Sequence, residues 1–185
     1  MATRPGTERT AVAFCGSSWR PARARQVVEA AVGRLDTVYG IGCEVLDLAD
    51  AGPDLAAFHR DQMTEEATGL IGTIENADAL IIGCPVFQGG YPGLFKHVFD
   101  QLQEGALRDV PVLLTACGGG LRHALVVEHQ LRPLFGYFEA MAVPTAVYAC
   151  SAEVNGASLA PPLQERLNAA VAQFAGLMTD RCHAA

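Results

Sequence analysis

Short apolar runs alternate along the chain with longer segments in which apolar residues recur every three or four positions. The short runs are typical of strands and cover residues 10–15, 43–48, 79–84, 110–117 and 143–150. The longer segments predict helices over residues 22–38, 62–76, 93–104, 122–140 and 162–179. Because strands alternate with helices, and the central strands lack polar alternation, we expect a parallel sheet with helices on both faces.

The pattern contains no interruption that would mark a linker between domains. We therefore expect a single domain over residues 1–185, with residues 1–9 flexible. The stretch "NGASLAPPL", residues 155–163, predicts a surface loop before the last helix.

Three loops that follow predicted strands are rich in small residues. They are "GSSWRPARAR" after the first strand, "PVFQGGYPG" after the third and "GGGLRHA" after the fourth. Ligands of such sheets bind at the carboxyl ends of the strands. The sequence therefore predicts a binding site for a flat molecule at this edge.

Composition narrows the class of protein. Half of the 185 residues are apolar and 18% are charged, which suits a packed domain and excludes a disordered chain. No apolar run is long enough for a membrane span, and "MATRPGTERT" lacks the apolar stretch of a secretory signal, so we expect a cytoplasmic protein. The net charge of −7 argues against a general nucleic-acid binder.

The charge is unevenly distributed. Residues 1–34 carry a net charge of +4, whereas the remainder carries −11. A basic corner on an acidic protein indicates either a small anionic ligand near the first loop or a few solvated arginines.

The first loop has features of a phosphate site. Gly16 allows a tight turn, Ser17 offers a hydroxyl, and Pro21 suits the start of the following helix. Unpaired backbone amides and the helix dipole favour an anion there. The loop matches neither the Walker pattern nor the glycine pattern of dinucleotide folds.

Taken together, the three loops resemble those of the NAD(P)H-dependent FMN reductases, and most closely the reductase components of two-component alkanesulfonate monooxygenase systems. The matching stretches are "GSSWRPAR", "PVFQGGYPGLFKHVFD" and "GGGLRHALVVEHQLRPLFGYFEAMAVPTAVYA". The resemblance implies a flavodoxin-like α/β three-layer sandwich with a five-stranded parallel sheet of order 2-1-3-4-5. It also implies FMN and NAD(P)H as cofactors, and a homodimer or homotetramer.

The same resemblance implies roles for individual residues. FMN phosphate would lie among Gly16, Ser17, Arg20 and Arg23, with Arg25 as a further source of charge. The flavin ring would lie against Pro85, Val86, Phe87, Gln88 and Gly89. Its other edge would face Gly118, Gly119 and Gly120, with His123 nearby. No catalytic side chain is implied, because the flavin itself carries a hydride transfer.

The chain departs from the family pattern at three positions. Ala22 and Ala24 stand where the family usually has hydroxyls that bind the phosphate, and Phe87 replaces a usual tyrosine. Each lost hydrogen bond to a charged group costs roughly 1.5 to 3 kcal/mol, so we expect weaker FMN binding.

The fourth predicted helix contains Pro133, which has no N–H to give to the carbonyl of His129. Related reductases carry a widened helical turn at an oligomer interface in this segment. We expect such a turn around His129, the alternative being an ordinary proline kink.

Four of the six cysteines, Cys15, Cys84, Cys117 and Cys150, close predicted strands. They are either small buried apolar residues or a row of thiols along the ligand-binding edge. No C-x-x-C pair and no metal-ligand spacing of histidines occurs, so we predict no metal site.

The leading hypothesis is an enzyme that reduces FMN with NADH or NADPH and passes the reduced flavin to a partner monooxygenase. The alternatives are a reductase of quinones or azo dyes that retains its FMN, and a non-catalytic subunit that has lost FMN binding. Neither a membrane nor a nucleic acid is an expected partner.

Overall fold

In the computed structural model, which describes residues 11–183, a central parallel sheet carries helices on both faces. Its strands are β1 (Ala11–Cys15), β2 (Cys43–Asp47), β3 (Ala79–Pro85), β4 (Pro111–Gly118), β5 (Met141–Ala142) and β6 (Val147–Cys150). The order is β2-β1-β3-β4, and both β5 and β6 pair with β4. The predicted order 2-1-3-4-5 is therefore confirmed, with two short strands sharing the fifth position. The flexibility predicted for residues 1–9 lies outside the described residues.

Five α-helices connect or follow these strands. They are α1 (Arg23–Tyr39), α2 (Glu65–Glu75), α3 (Gly93–Asp100), α4 (Arg132–Tyr137) and α5 (Pro161–His183). The helix predicted over residues 122–140 is wrong as a regular element. It consists of a 3-10 turn (Leu121–His123), a π-helical turn (Val127–Leu131) and then α4.

Two apolar clusters form the core, one on each face of the sheet. On one face α2, α3 and α4 cover a group of aromatic side chains that includes Phe14, Phe95 and Phe99. On the other face α1 and α5 pack through Leu35 and Phe174. Successive residues of β1 enter opposite clusters, which explains why the central strands lack polar positions.

The last strand of the sheet begins later than the sequence predicts, at Val147 rather than residue 143. Backbone groups just before it form hydrogen bonds with side chains instead of with a neighbouring strand. Arg132 donates to the carbonyl oxygens of Val143 and Pro144, both at 3.2 Å, and the N–H of Thr145 donates to Gln173 at 2.9 Å. Pro144 also has no N–H for a strand ladder.

The predicted loop after the sheet is a small antiparallel hairpin. It is formed by β7 (Val154–Asn155) and β8 (Ser158–Leu159), which turn at Gly156 with a φ of +59°. Within residues 11–183, no helix has the length and apolar character needed to cross a membrane.

Candidate active site

The loops after β1, β3 and β4 meet at the carboxyl edge of the sheet and enclose a cavity of about 510 Å³. Parts of residues 17–26, 85–87, 117–119 and 151–156 line it. The volume lies within the range usual for small-molecule sites. We call the loops after β1, β3 and β4 the first, third and fourth loops. Together they form one site, which we call the main cavity.

Gly16 connects the first loop to the core of the protein. Its N–H donates to the carbonyl of Gly83 at 2.7 Å, and a Cβ at this position would lie 2.5 Å from Cδ2 of the buried Phe95. The first loop can therefore cross the core only with glycine here. Gly16 does not itself line the main cavity.

The start of α1 faces the main cavity with its amides uncapped. Ala22 is the N-cap residue, and its side chain accepts no hydrogen bond from the first N–H groups of the helix. The first turn contains no acidic residue, and Arg23 lines the cavity without an ion pair among the described residues. Free amides, a helix dipole and one available guanidinium make this end of the cavity suitable for an anion.

Arg20, Arg25, Asp47 and Asp50 form a second charged group, which we call the first-loop cluster. Arg20 Nε and an Arg25 terminal nitrogen both lie 2.6 Å from Asp47 Oδ2, and Arg20 also lies 2.5 Å from Asp50. The Asp47 side chain is fully buried and also accepts from the N–H of Ala49 at 3.0 Å. Asp47 therefore ties the first loop and α1 to the end of β2.

The charges of this cluster also affect its titration. Hydrogen bonds to Asp47 and Asp50 raise the pKa of Arg20. Partial burial opposes ionisation of Asp50, but the Asp47 N–H and the Arg20 guanidinium outweigh it and lower the pKa of that carboxyl.

The third loop ends in a tight turn. Phe87 and Gly90 exchange two backbone hydrogen bonds of 2.9 and 3.0 Å, and the residues between them, Gln88 and Gly89, have φ values of +48° and +87°. Two positive φ angles favour glycine and asparagine, so Gln88 is held in an uncommon conformation. Gln130 donates to the Gly89 carbonyl at 3.2 Å and anchors the turn.

An aromatic pair joins the first and third loops across the main cavity. The rings of Trp19 and Phe87 stack with centroids 5.4 Å apart and planes inclined by 26°. Both residues line the cavity, and both side chains are partly exposed. The pair places a flat apolar surface at the cavity mouth.

The fourth loop is held by Tyr148 of β6. The tyrosine hydroxyl donates to the Gly120 carbonyl at 2.6 Å. A Cβ on Gly118 would lie 2.5 Å from the hydroxyl oxygen of Tyr148. A Cβ on Gly119 or Gly120 would meet nothing within 4 Å. Gly118 is therefore needed for packing against Tyr148, whereas the next two glycines leave open space.

A smaller cavity of about 260 Å³, which we call the second cleft, lies beside the third-loop turn. It is lined by Gly89, Arg122, His123, Leu125, Val126, His129 and Gln130. Its lining contains one arginine and two histidines and no carboxylate.

The wall of the second cleft includes the π-helical turn. The N–H of Arg132 reaches back to the carbonyl of Val127, five residues earlier, as expected of a π-helix. Pro133 follows directly and donates no hydrogen bond. The widened turn expected around His129 is therefore present, while its place at an oligomer interface stays a prediction.

Comparison with known proteins gives this geometry a context. Residues 10–154 match the family model described as NADPH-dependent FMN reductase. An FMN reductase (NADPH) of Pseudomonas aeruginosa is 41% identical over 172 residues, covering 92% of each chain. The NADH-dependent FMN reductase SfnF of Pseudomonas fluorescens is 42% identical over 168 residues, covering 90% of each chain.

This chain belongs to the NADPH-dependent FMN reductase family. Among solved structures, an oxidoreductase from Corynebacterium diphtheriae superposes with a TM-score of 0.80 at 28% identity, covering 93% of this chain and 97% of the other. Flavodoxins are among the structures that share the fold, which confirms the flavodoxin-like prediction. The predicted oxidoreductase class and the pairing of FMN with NAD(P)H are confirmed at the level of the family.

The reductase brings part of the predicted site together. The predicted residues that line the main cavity are Ser17, Arg23, Pro85, Val86, Phe87, Gly118 and Gly119. Gly89 and His123 line the second cleft instead. Gly16, Arg20, Arg25, Gln88 and Gly120 line neither cavity.

Several lining residues of the reductase were not predicted as part of the site. Trp19 stacks on Phe87, Ser151 lies just before the β7–β8 hairpin, and Asn155 of the hairpin reaches the cavity wall. A tryptophan directly after the small residues 16–18 in a loop at the binding edge was a usable signal, because a large aromatic side chain there needs a partner. The hairpin gave no comparable signal.

The strand-end cysteines do not form one row. Cys15 and Cys117 belong to the apolar cluster under α1 and α5, whereas Cys84 belongs to the opposite cluster. The reason is register, since Cys84 pairs with Ala116 and not with Cys117. Burial raises the pKa of the Cys15 thiol to about 12 and that of Cys117 to about 11, which suits small buried residues.

Proposed function

We propose that this protein uses NADH or NADPH to reduce FMN in the main cavity and releases the product to a partner flavin-dependent monooxygenase. The observation that carries the proposal is a cavity lined by the loops after β1, β3 and β4, with the uncapped start of α1 at one end. The relative from Pseudomonas fluorescens is named an NADH-dependent FMN reductase, which supports the same activity.

The residues present fit FMN. The anion end offers the first amides of α1 and the Arg23 guanidinium, which suit a phosphate. The rest of the lining offers Pro85–Phe87 and the open space at Gly119, which suit a planar ring.

The contribution of the protein would be binding and orientation. Bound FMN would accept a hydride from the nicotinamide, so no side-chain acid or base is required. Backbone N–H groups at the glycine-rich loops would stabilise negative charge on the ring, and the Trp19–Phe87 pair would restrict water at the mouth. We therefore expect single side-chain substitutions to slow the reaction without abolishing it.

Loose binding of FMN would suit a flavin that is released. Ala22 and Ala24 supply no hydroxyl to the phosphate, and Arg20 and Arg25 already bond to carboxylates. Each missing charged hydrogen bond weakens binding by about 1.5 to 3 kcal/mol. The predicted phosphate contacts of Arg20 and Arg25 would require these arginines to leave Asp47.

We further propose a homodimer or homotetramer in the cytoplasm. Leu121 and Tyr137 are each 75% exposed on either side of the π-helical turn, and apolar side chains so placed favour a second copy of this chain. The five described cysteines are free, as is usual in a reducing compartment. Light scattering of the wild type and of Tyr137→Glu tests the assembly, which should dissociate in the variant.

The function is tested by titrating the purified protein with FMN and then following NADH and NADPH oxidation with and without added FMN. Turnover that requires added FMN is the expected result. Copurifying flavin with turnover on a quinone would favour the flavin-retaining alternative. Absence of both binding and turnover would overturn the proposal in favour of a non-catalytic subunit.

A further inference from the structure

The second cleft has a charge unlike that of the surrounding protein. The chain carries a net charge of −7, yet Arg122, His123 and His129 line this cleft together with the amide of Gln130. Such a concentration of donors and positive charge is suited to an anionic ligand.

The one arginine of the cleft is available to a ligand. Arg122 Nε donates to His123 Nε2 at 3.1 Å, which leaves both terminal nitrogens of the guanidinium without a partner among the described residues. The nearest acidic residue in the sequence, Glu128, is occupied by two bonds of 2.6 and 3.2 Å from Arg132. Hydrogen bonding to Arg132 lowers the pKa of Glu128, which favours the ionised carboxylate and its pairing with Arg132.

The cleft adjoins the place proposed for the flavin ring. Gly89 lines the cleft, while Phe87, on the same tight turn, lines the main cavity. Gln130 of the cleft bonds to the Gly89 carbonyl, so one turn separates the two spaces. A nicotinamide stacked at the main cavity must extend the rest of its dinucleotide over a neighbouring surface.

The other surfaces beside the main cavity are less suitable for phosphate. In the first-loop cluster the arginines are already paired and the Asp50 carboxylate is partly exposed, and the segment before the β7–β8 hairpin carries Glu153. A pyrophosphate would meet carboxylates on those sides and unpaired donors in the second cleft.

We propose that the second cleft binds phosphate groups of the nicotinamide dinucleotide, with Arg122 as the principal contact and His129 and Gln130 as further donors. This inference rests on the proposed function. The phosphate is either the pyrophosphate common to NADH and NADPH or the additional phosphate of NADPH.

The test is steady-state kinetics of Arg122→Gln with both donors at saturating FMN. We expect KM to rise about 10- to 100-fold while kcat changes less than about twofold, because a bond kept throughout the reaction affects binding alone. An equal rise for NADH and NADPH identifies the pyrophosphate, and a rise for NADPH alone identifies the additional phosphate. Arg122→Lys should recover part of the loss, since it keeps the charge without the planar fork.

Arg34→Gln is the matched control, because Arg34 is exposed on α1, lines neither cavity and has no ion pair among the described residues. Its KM values and the FMN affinity of both variants should equal those of the wild type. Light scattering must give the same assembly for wild type and Arg122→Gln.

Direct titration with NADP⁺ and NAD⁺ separates this inference from the proposed function, since it needs no turnover. Weaker binding of either dinucleotide by Arg122→Gln supports the inference. Unchanged dinucleotide affinity and unchanged KM overturn it, even if FMN reduction proceeds normally. Failure of FMN binding and turnover in the wild type overturns the proposed function instead.

Discussion

The first-loop cluster and the second cleft both contain arginine, but only the second cleft has a guanidinium that is available to a ligand. In the cluster, Arg20 and Arg25 share the buried Asp47 at 2.6 Å. In the cleft, Arg122 contacts only an imidazole among the described residues. The difference teaches that an arginine near a site signals a ligand only when the fold leaves it without a carboxylate.

The largest expected effect is on stability in the cluster. Asp47→Ala would leave two guanidiniums without their shared partner, so we expect the free energy of unfolding to fall by about 2 to 4 kcal/mol. This loss is near the lower end for a broken buried ion pair, because both arginines keep some contact with water. Urea denaturation measures this loss.

Two variants sharpen that result. Asp36→Ala, at an exposed position of α1, and Arg122→Ala in the cleft should each change the unfolding free energy by less than about 0.5 kcal/mol. A loss for Arg122→Ala as large as that for Asp47→Ala would remove the contrast between the two regions.

The next effect concerns FMN affinity. Arg23 lines the main cavity without an ion pair among the described residues, so Arg23→Ala should weaken FMN binding about 10- to 100-fold, the range for one charged hydrogen bond. Arg20→Ala should weaken it less than about tenfold, because this side chain already bonds to Asp47 and Asp50. Fluorescence titration with FMN, and with riboflavin as the ligand without phosphate, decides between them; equal losses for both ligands would contradict a phosphate contact.

A smaller gain is expected at the start of α1. Ala22 occupies the N-cap in an extended conformation, with φ −127° and ψ 134°, and offers no side-chain cap. Ala22→Ser should stabilise the protein without ligand by about 1 kcal/mol. Ala30→Ser, inside the same helix, should instead destabilise it slightly in urea denaturation. A gain at both positions would point to a cause other than capping.

The smallest effect is the pH dependence of the cluster. The folded-state pKa of Asp50 is lowered, so its stabilising contribution is present above the ordinary carboxyl pKa of about 3.9 and is lost as the pH falls through the lower folded value. The Arg20–Asp50 contact is partly exposed and contributes less than about 1 kcal/mol. Asp50→Asn should therefore unfold more easily than the wild type at pH 7 and equally easily near pH 2, by urea denaturation. A difference that persists in acid would refute the assignment to ionisation.

Much of the fold could be predicted from the sequence, because apolar periodicity reports directly on which faces are buried. The positions of the three loops followed from that periodicity, whereas the order of the sheet followed from the family resemblance. The late start of β6 could not be predicted, since Arg132 donates to carbonyls 11 and 12 residues away and Gln173 accepts from the N–H of Thr145, 28 residues away.

The candidate site was predicted in outline only. Position after a strand located the loops, and Pro133 indicated the widened turn near His129. The pairing of Arg20 and Arg25 with Asp47 could not be predicted, since 27 and 22 residues separate them from it and the fold alone brings them together. The contact between Trp19 and Phe87 depends in the same way on two distant loops.

The aromatic pair also gives the protein a built-in optical reporter. Trp19 is the sole tryptophan of the chain, so indole emission originates at one known point beside the proposed flavin position. An arriving isoalloxazine would quench that emission by energy transfer, and its departure would restore it. Occupancy can thus be followed in real time on the unlabelled molecule.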